Sequence, residues 1–228
     1  MKKWGNNANI KYVPKVERGP ITNASAKYTT SLFKSERERL EIIPEVETKL
    51  KNGCIYLPNY FCETNDLTLF NQLKTEILAK NGLINWSKHY KHENPDGSST
   101  FNQIVQKLAE HFNVDVHQTR FNYYKDGNDW KPFHHDSHAY GGVTENFTMG
   151  VSFGTSRQLD FLHKVADDSC LAGGRHGVVQ EKKFSFPQNN GDIFAFDSDV
   201  NKLFMHGVPK APEVTGDRIS IIAWGKRR

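Results

Sequence analysis

From residue 53 onward the hydrophobic positions follow two periods in succession. Leu67, Phe70, Leu73, Ile77 and Leu78 recur on one helical face, which predicts a helix capped by Asn65 or Asp66 and stopped by Asn81-Gly82. Thr100 and Gln103 have capping-box spacing ahead of Phe101, Ile104, Val105, Leu108 and Phe112, which predicts a second helix. The polar residues 83–99 between them read as a long surface loop. After residue 116 the helical period gives way to short β-like runs separated by turn residues. These predict strands near 119–125, 131–137, 147–154, 157–163, 182–187, 191–197, 203–207 and 217–224. A run of short strands behind two helices predicts an α+β, mainly β fold: a double-stranded β-helix (jelly roll) with flanking N-terminal helices.

Composition sets the boundaries. The chain has 228 residues and a formal charge of +4, which fits one domain and an extension. Residues 1–51 hold 11 basic and 6 acidic side chains, so the whole excess lies there and the remainder is near neutral. Residues 1–50 lack sustained apolar periodicity apart from a short helical pattern at 32–40. They read as a basic, partly ordered arm suited to a protein or nucleic-acid partner, or to solubility alone, ahead of a domain at 51–228. Cys54, Cys62 and Cys170 form no CxxC pair and no even framework, so a reducing intracellular setting, cytoplasmic or nuclear, is expected. No apolar stretch reaches the roughly 18 residues that cross a bilayer, and no membrane association is expected.

The β half carries polar residues spaced i, i+2 on predicted strands, where both members face one side. Asn122 and Tyr124 form one such pair, His134 and Asp136 a second, Arg218 and Ser220 a third, and His206 follows an apolar run. Two histidines and a carboxylate on one face of a metal make the facial triad of non-haem Fe(II) oxygenases, with coordination positions left open. His134, Asp136 and His206 supply that set. Arg218, assisted by Ser220, would fork onto a carboxylate such as the distal one of 2-oxoglutarate. A helical zinc pair, His134 with His138, is disfavoured by Pro132 before it and Gly141-Gly142 after it.

The chain also resembles a known family. Asn122-Tyr123-Tyr124-Lys125-Asp126-Gly127, His134-His135-Asp136, Ser152-Phe153-Gly154-Thr155-Ser156-Arg157, Gly191-Asp192, His206-Gly207-Val208-Pro209-Lys210 and Arg218-Ile219-Ser220 look like successive blocks of the AlkB-like Fe(II)/2-oxoglutarate dioxygenases. The resemblance covers about residues 53–225 and is clearest from 120 onward. It implies that His134, Asp136 and His206 ligate Fe(II), that Arg218 pairs with the distal carboxylate of the cosubstrate 2-oxoglutarate, and that Asn122 and Tyr124 hydrogen-bond it. It implies oxidative decarboxylation of that cosubstrate to succinate and CO₂, coupled to hydroxylation of an alkyl group. On nitrogen the hydroxylated group collapses to an aldehyde, so the net reaction is demethylation or dealkylation.

Two positions depart from the pattern. Trp224 stands where many members carry a second arginine, and His138 where many nucleobase demethylases carry an acid. By position, residues 83–99 would form a lid in which Trp86, His89 and Tyr90 stack on a flipped base. The resulting expectation is oxidative demethylation of N-alkylated nucleobases in DNA or RNA. The same chemistry on a protein side chain or small molecule, or an idle binding subunit, are the alternatives.

Overall fold

A computed structural model describes residues 52–78, 83–85, 88–95, 97–136, 145–165 and 180–228. The expected arm at 1–50, the helical pattern at 32–40 and the Asn81-Gly82 stop lie outside them, as do Trp86 and His138.

Two antiparallel sheets face each other. The larger contains β1 (Cys54–Leu57), β2 (Ile84–Asn85), β3 (Tyr90–Glu93), β4 (Val114–Tyr124), β6 (Phe147–Gly154), β9 (Ile193–Asp197) and β11 (Arg218–Arg227), in the order β1-β9-β6-β11-β4-β3-β2. The smaller contains β5 (Lys131–His134), β7 (Arg157–Val165), β8 (Gln180–Gln188) and β10 (Met205–Val208), in the order β5-β10-β7-β8. This is the expected jelly roll.

The period of two along each strand divides the core. On the larger sheet Ile55, Leu57, Met149, Val151, Phe153, Ile193, Ala195, Ile219, Ile221 and Ala223 belong to an outer cluster under the helices. Their alternates Tyr56, Phe194, Phe196, Ile222 and Trp224 pack inward with Phe161, Phe186, Phe204 and Val208. β11 and β6 are central and covered on both faces, hence their near-continuous apolar runs. The few polar inward positions on them, Thr148, Ser152, Arg218 and Ser220, are therefore costly unless they are hydrogen-bonded or serve a ligand.

Helix α2 (Ser99–Phe112) buries Phe101, Ile104, Leu108 and Phe112. Its cap is Ser98, whose hydroxyl accepts from the Phe101 amide at 3.0 Å, rather than Thr100 as the capping-box spacing predicted. Thr100 is instead engaged by Glu76, which also accepts from the Ser98 hydroxyl. Helix α1 (Thr68–Leu73) is shorter than predicted because Lys74–Leu78 continues as one π-helical turn. The predicted surface loop at 83–99 holds β2 and β3, which extend the larger sheet beyond β4. β1 and a short helix, α3 (Ser198–Leu203), complete the described elements. No described helix is long and apolar enough to cross a membrane.

Candidate metal centre

β5 and β10 are antiparallel neighbours, and their register sets His134 opposite His206. Asp136 lies two residues past His134, just beyond the strand end rather than within it as predicted. The three side chains come together: Asp136 Oδ1 is 3.5 Å from Nε2 of each histidine. They form the one such group with metal-ligand spacing among the described residues.

The surroundings fix each member. The Nδ1–H of His134 donates to the Pro132 carbonyl at 2.9 Å, a tautomer that leaves Nε2 with its lone pair, and Nε2 is buried with no hydrogen bond. Burial holds His206 down to about 4, so its imidazole is neutral and ready to ligate. Burial alone would raise the Asp136 carboxyl, but His206, His134 and Lys131 override it and hold the group well below its ordinary value. The backbone of Asp136 is clamped by Asn201, which accepts from its amide at 2.9 Å and donates to its carbonyl at 3.0 Å. His135 points away, with its ring against the Asn201 carbonyl.

The second carboxylate oxygen has its own donors. Trp224 Nε1 and Thr148 Oγ1 donate to Asp136 Oδ2 at 2.9 and 3.0 Å. One oxygen thus faces the histidines while the other is tied to the larger sheet.

Beside the triad lies a narrow cleft lined by Asn122, Tyr124, Lys131, Asp136, His206, Arg218, Ser220 and Trp224, among others. Four of these, Asn122, Tyr124, Arg218 and Ser220, are the positions expected to hold a cosubstrate. Arg218 is 2% exposed and donates through Nη2 to Ser152 Oγ at 2.8 Å, while among the described residues Nε and Nη1 have no acceptor. Its guanidinium lies 5.0 Å from the Tyr124 ring centre, and burial pulls it down to about 10. Such a buried cation is able to take a carboxylate through two parallel hydrogen bonds.

Tyr90 is not in the cleft. It pairs in register with Tyr123, and its ring packs against that ring on the face opposite Asn122. His89 lies on the cleft side instead, stacked on Tyr124 with ring centres 5.0 Å apart. Arg157, quoted within a motif block, is a clamp: its guanidinium donates to the carbonyls of Asp126, Asp129 and Pro209, tying the β4–β5 loop to the turn after β10.

Thr148, Asn201 and Lys131 were not identified from the sequence, and Trp224 was noted only as a departure from the family pattern. Trp224 had a usable signal, since it lies six residues past Arg218 on one strand and so shares its face. Asn201 had none, because its role comes from a short helix that no periodicity announced.

A prolyl-4-hydroxylase from Pseudomonas putida superposes with a TM-score of 0.50 at 15% identity, over 77% of this chain and 93% of that one. The non-haem α-ketoglutarate-dependent epimerase SnoN from nogalamycin biosynthesis gives 0.54 at 16% identity, over 76% of each chain. The chain has the fold of these oxygenases. SnoN has also been crystallised with Fe³⁺, α-ketoglutarate and a nogalamycin compound, and that structure superposes at 0.51. In sequence, uncharacterized protein R406 of Acanthamoeba polyphaga mimivirus is 28% identical over 187 residues, 71% of this chain and 90% of the relative. No protein-family model matches the chain.

Proposed function

We propose that this protein is an Fe(II)- and 2-oxoglutarate-dependent dioxygenase that oxidatively demethylates N-alkylated nucleobases. The observation that carries the enzyme class is the convergence of Asp136 Oδ1 and two histidine Nε2 atoms beside a buried arginine with two unmet donors.

The residues present fit both groups. His134, Asp136 and His206 would hold the iron, a donor set that leaves positions open. Arg218 would take the distal carboxylate of 2-oxoglutarate, with Asn122, Tyr124 and Ser220 lining the same cavity. When bound, iron and cosubstrate supply oxidation of a carbon–hydrogen bond, with release of succinate and CO₂. The chain does the rest. Trp224 and Thr148 orient Asp136, the Pro132 carbonyl orients His134, and Phe161 and Phe196 pack around His206 and keep water from its inner side. The nucleobase part of the reading is supported by the motif blocks from Asn122 to Ser220.

Anaerobic titration with Fe(II) and 2-oxoglutarate tests the class: a metal-to-cosubstrate charge-transfer band is expected, and its absence, with no succinate under oxygen, would refute it. Mass spectrometry of methylated oligonucleotides and methylated peptides then tests the substrate. Turnover of the peptides alone would move the chemistry to protein side chains.

A further inference from the structure

Iron, 2-oxoglutarate and the triad account for Arg218 but leave other cations at the cleft without work. Lys131 lines the cavity together with Asp136 and Arg218. It gets there through a register shift: β5 pairs His134 with His206 but Lys131 with Val208, so two residues of β5 oppose Gly207 alone and Lys131 returns to the side of His134. Its ammonium makes no ion pair or hydrogen bond among the described residues, although an unpaired lysine near a metal centre is electrostatically costly.

Arg120 and Lys91 are close enough to act on its charge. The β3–β4 register sets Lys91 opposite Asn122 and Glu93 opposite Arg120, on the cleft face of the sheet. Glu93, 48% exposed, is shared by Lys91 at 2.7 Å and Arg120 at 3.3 Å. The Arg120 guanidinium also lies 5.1 Å from the ring centre of Trp224, the residue bonded to Asp136, and its buried Nε has no acceptor. Among the described residues Lys91, Arg120, Lys131 and Arg218 thus lie near the site with Glu93 and Asp136, and two further acids lie close by: Glu145, buried against His117, and Asp129, which accepts from the Lys125 amide and acts on Tyr124. The charges of Fe(II) and the 2-oxoglutarate dianion would cancel, so their binding leaves Lys131 and Arg120 available.

We propose that Lys131 and Arg120 form an oxyanion position on the substrate side of the metal centre and that it takes a phosphate of the nucleotide bearing the target base. This rests on the nucleobase reading above. Phosphate suits the geometry because donors arrive from two strands, β4 and β5, and a tetrahedral anion accepts from several directions, whereas a flat carboxylate suits a single fork such as Arg218.

The test uses the full chain loaded anaerobically with Fe(II) and 2-oxoglutarate, so that binding is read without turnover. A single-stranded pentanucleotide and an aspartate-rich peptide of equal charge are titrated calorimetrically over a range of salt. Lys131→Met and Arg120→Met should each weaken the oligonucleotide about tenfold and lower its salt slope by about one. Lys131→Arg should keep the affinity, and the charge-transfer midpoint for 2-oxoglutarate should stay within about twofold. Unchanged oligonucleotide affinity in both Met variants would overturn the proposal. So would Lys131-dependent binding of the peptide alone, or a tenfold shift in the 2-oxoglutarate midpoint, which would assign Lys131 to the cosubstrate. Lys131-dependent oligonucleotide binding without demethylation would sustain the phosphate position and refute only the nucleobase reaction.

Discussion

Trp224→Phe removes one atom that matters and keeps most of an aromatic ring. In the parent protein Asp136 Oδ2 accepts from Trp224 Nε1 at 2.9 Å and from Thr148 Oγ1 at 3.0 Å, and the Asp136 side chain is only 6% exposed. A hydrogen bond to a charged group contributes about 1.5–3 kcal/mol, and the lower half applies here because Thr148 still donates. About 1.5–2 kcal/mol converts to a roughly 10- to 30-fold weaker metal site, within the range typical of outer-shell partners. Arg120 keeps a ring to stack on, so the loss reports the indole N–H rather than the arginine.

The assay is competition for Fe(II) against a coloured chelator under anaerobic conditions, with circular dichroism to confirm the fold. Thr148→Val gives the matching single variant. Both donors serve one oxygen, so the double variant strips it and should cost more than the two singles together, with a coupling of at least about 0.5 kcal/mol. Trp224→Phe with metal affinity within twofold of the parent, in a folded protein, would refute the assignment of Oδ2 as the anchored oxygen.

Three further outcomes are expected. Arg218→Met should weaken 2-oxoglutarate by about 10- to 100-fold with iron affinity unchanged, and should leave the ligand-free protein at least as stable in urea, because two unmet buried donors disappear. His135→Ala should leave iron affinity within twofold in the same chelator competition, since that ring faces Asn201 and not the metal. Acid should weaken the fold through His89: burial, reinforced by Lys131, holds it down to about 4 against the usual 6.5. The unfolded chain therefore takes up a proton first, and stability present above pH 6.5 falls by about 2 kcal/mol by pH 5. His89→Phe, which keeps the stack on Tyr124, should narrow the difference between urea melts at pH 7 and pH 5 by about 2 kcal/mol, leaving the share of His206, also held down to about 4, and an unchanged difference would remove His89 from the account.

The jelly roll and the triad were legible because both depend on a period of two. Alternation predicted the strands that carry Asn122, Tyr124, Arg218 and Ser220 and set them on one face, and the structure lines one cleft with all four. What escaped was decided by contacts distant in sequence. The sequence between Asn81 and Thr100 looks like a loop because β2 and β3 are short and amphiphilic, and they become strands only by pairing with β4. Tyr90 looked like a lid residue, but register with Tyr123 turns it to the other face. Lys131 defeats alternation altogether, since a bulge is invisible to a strict period and returns that side chain to the site.

The departure at Trp224 acquires a physical meaning from the same geometry. An arginine at that position on β11 would set a permanent cation against the carboxylate that must face the metal, and would compete with it for Asp136. The indole donates one hydrogen bond without a charge, so Asp136 keeps its negative charge for the metal side and still has a fixed orientation. The cation is supplied one layer further out, by Arg120 over the indole face. Positive charge is thereby moved away from Asp136 to the outer face of the indole. Trp224→Arg should reverse that arrangement, weakening Fe(II) in the chelator competition more than Trp224→Phe does. Equal losses in the two variants would mean that only the hydrogen bond matters and that the displaced charge does not.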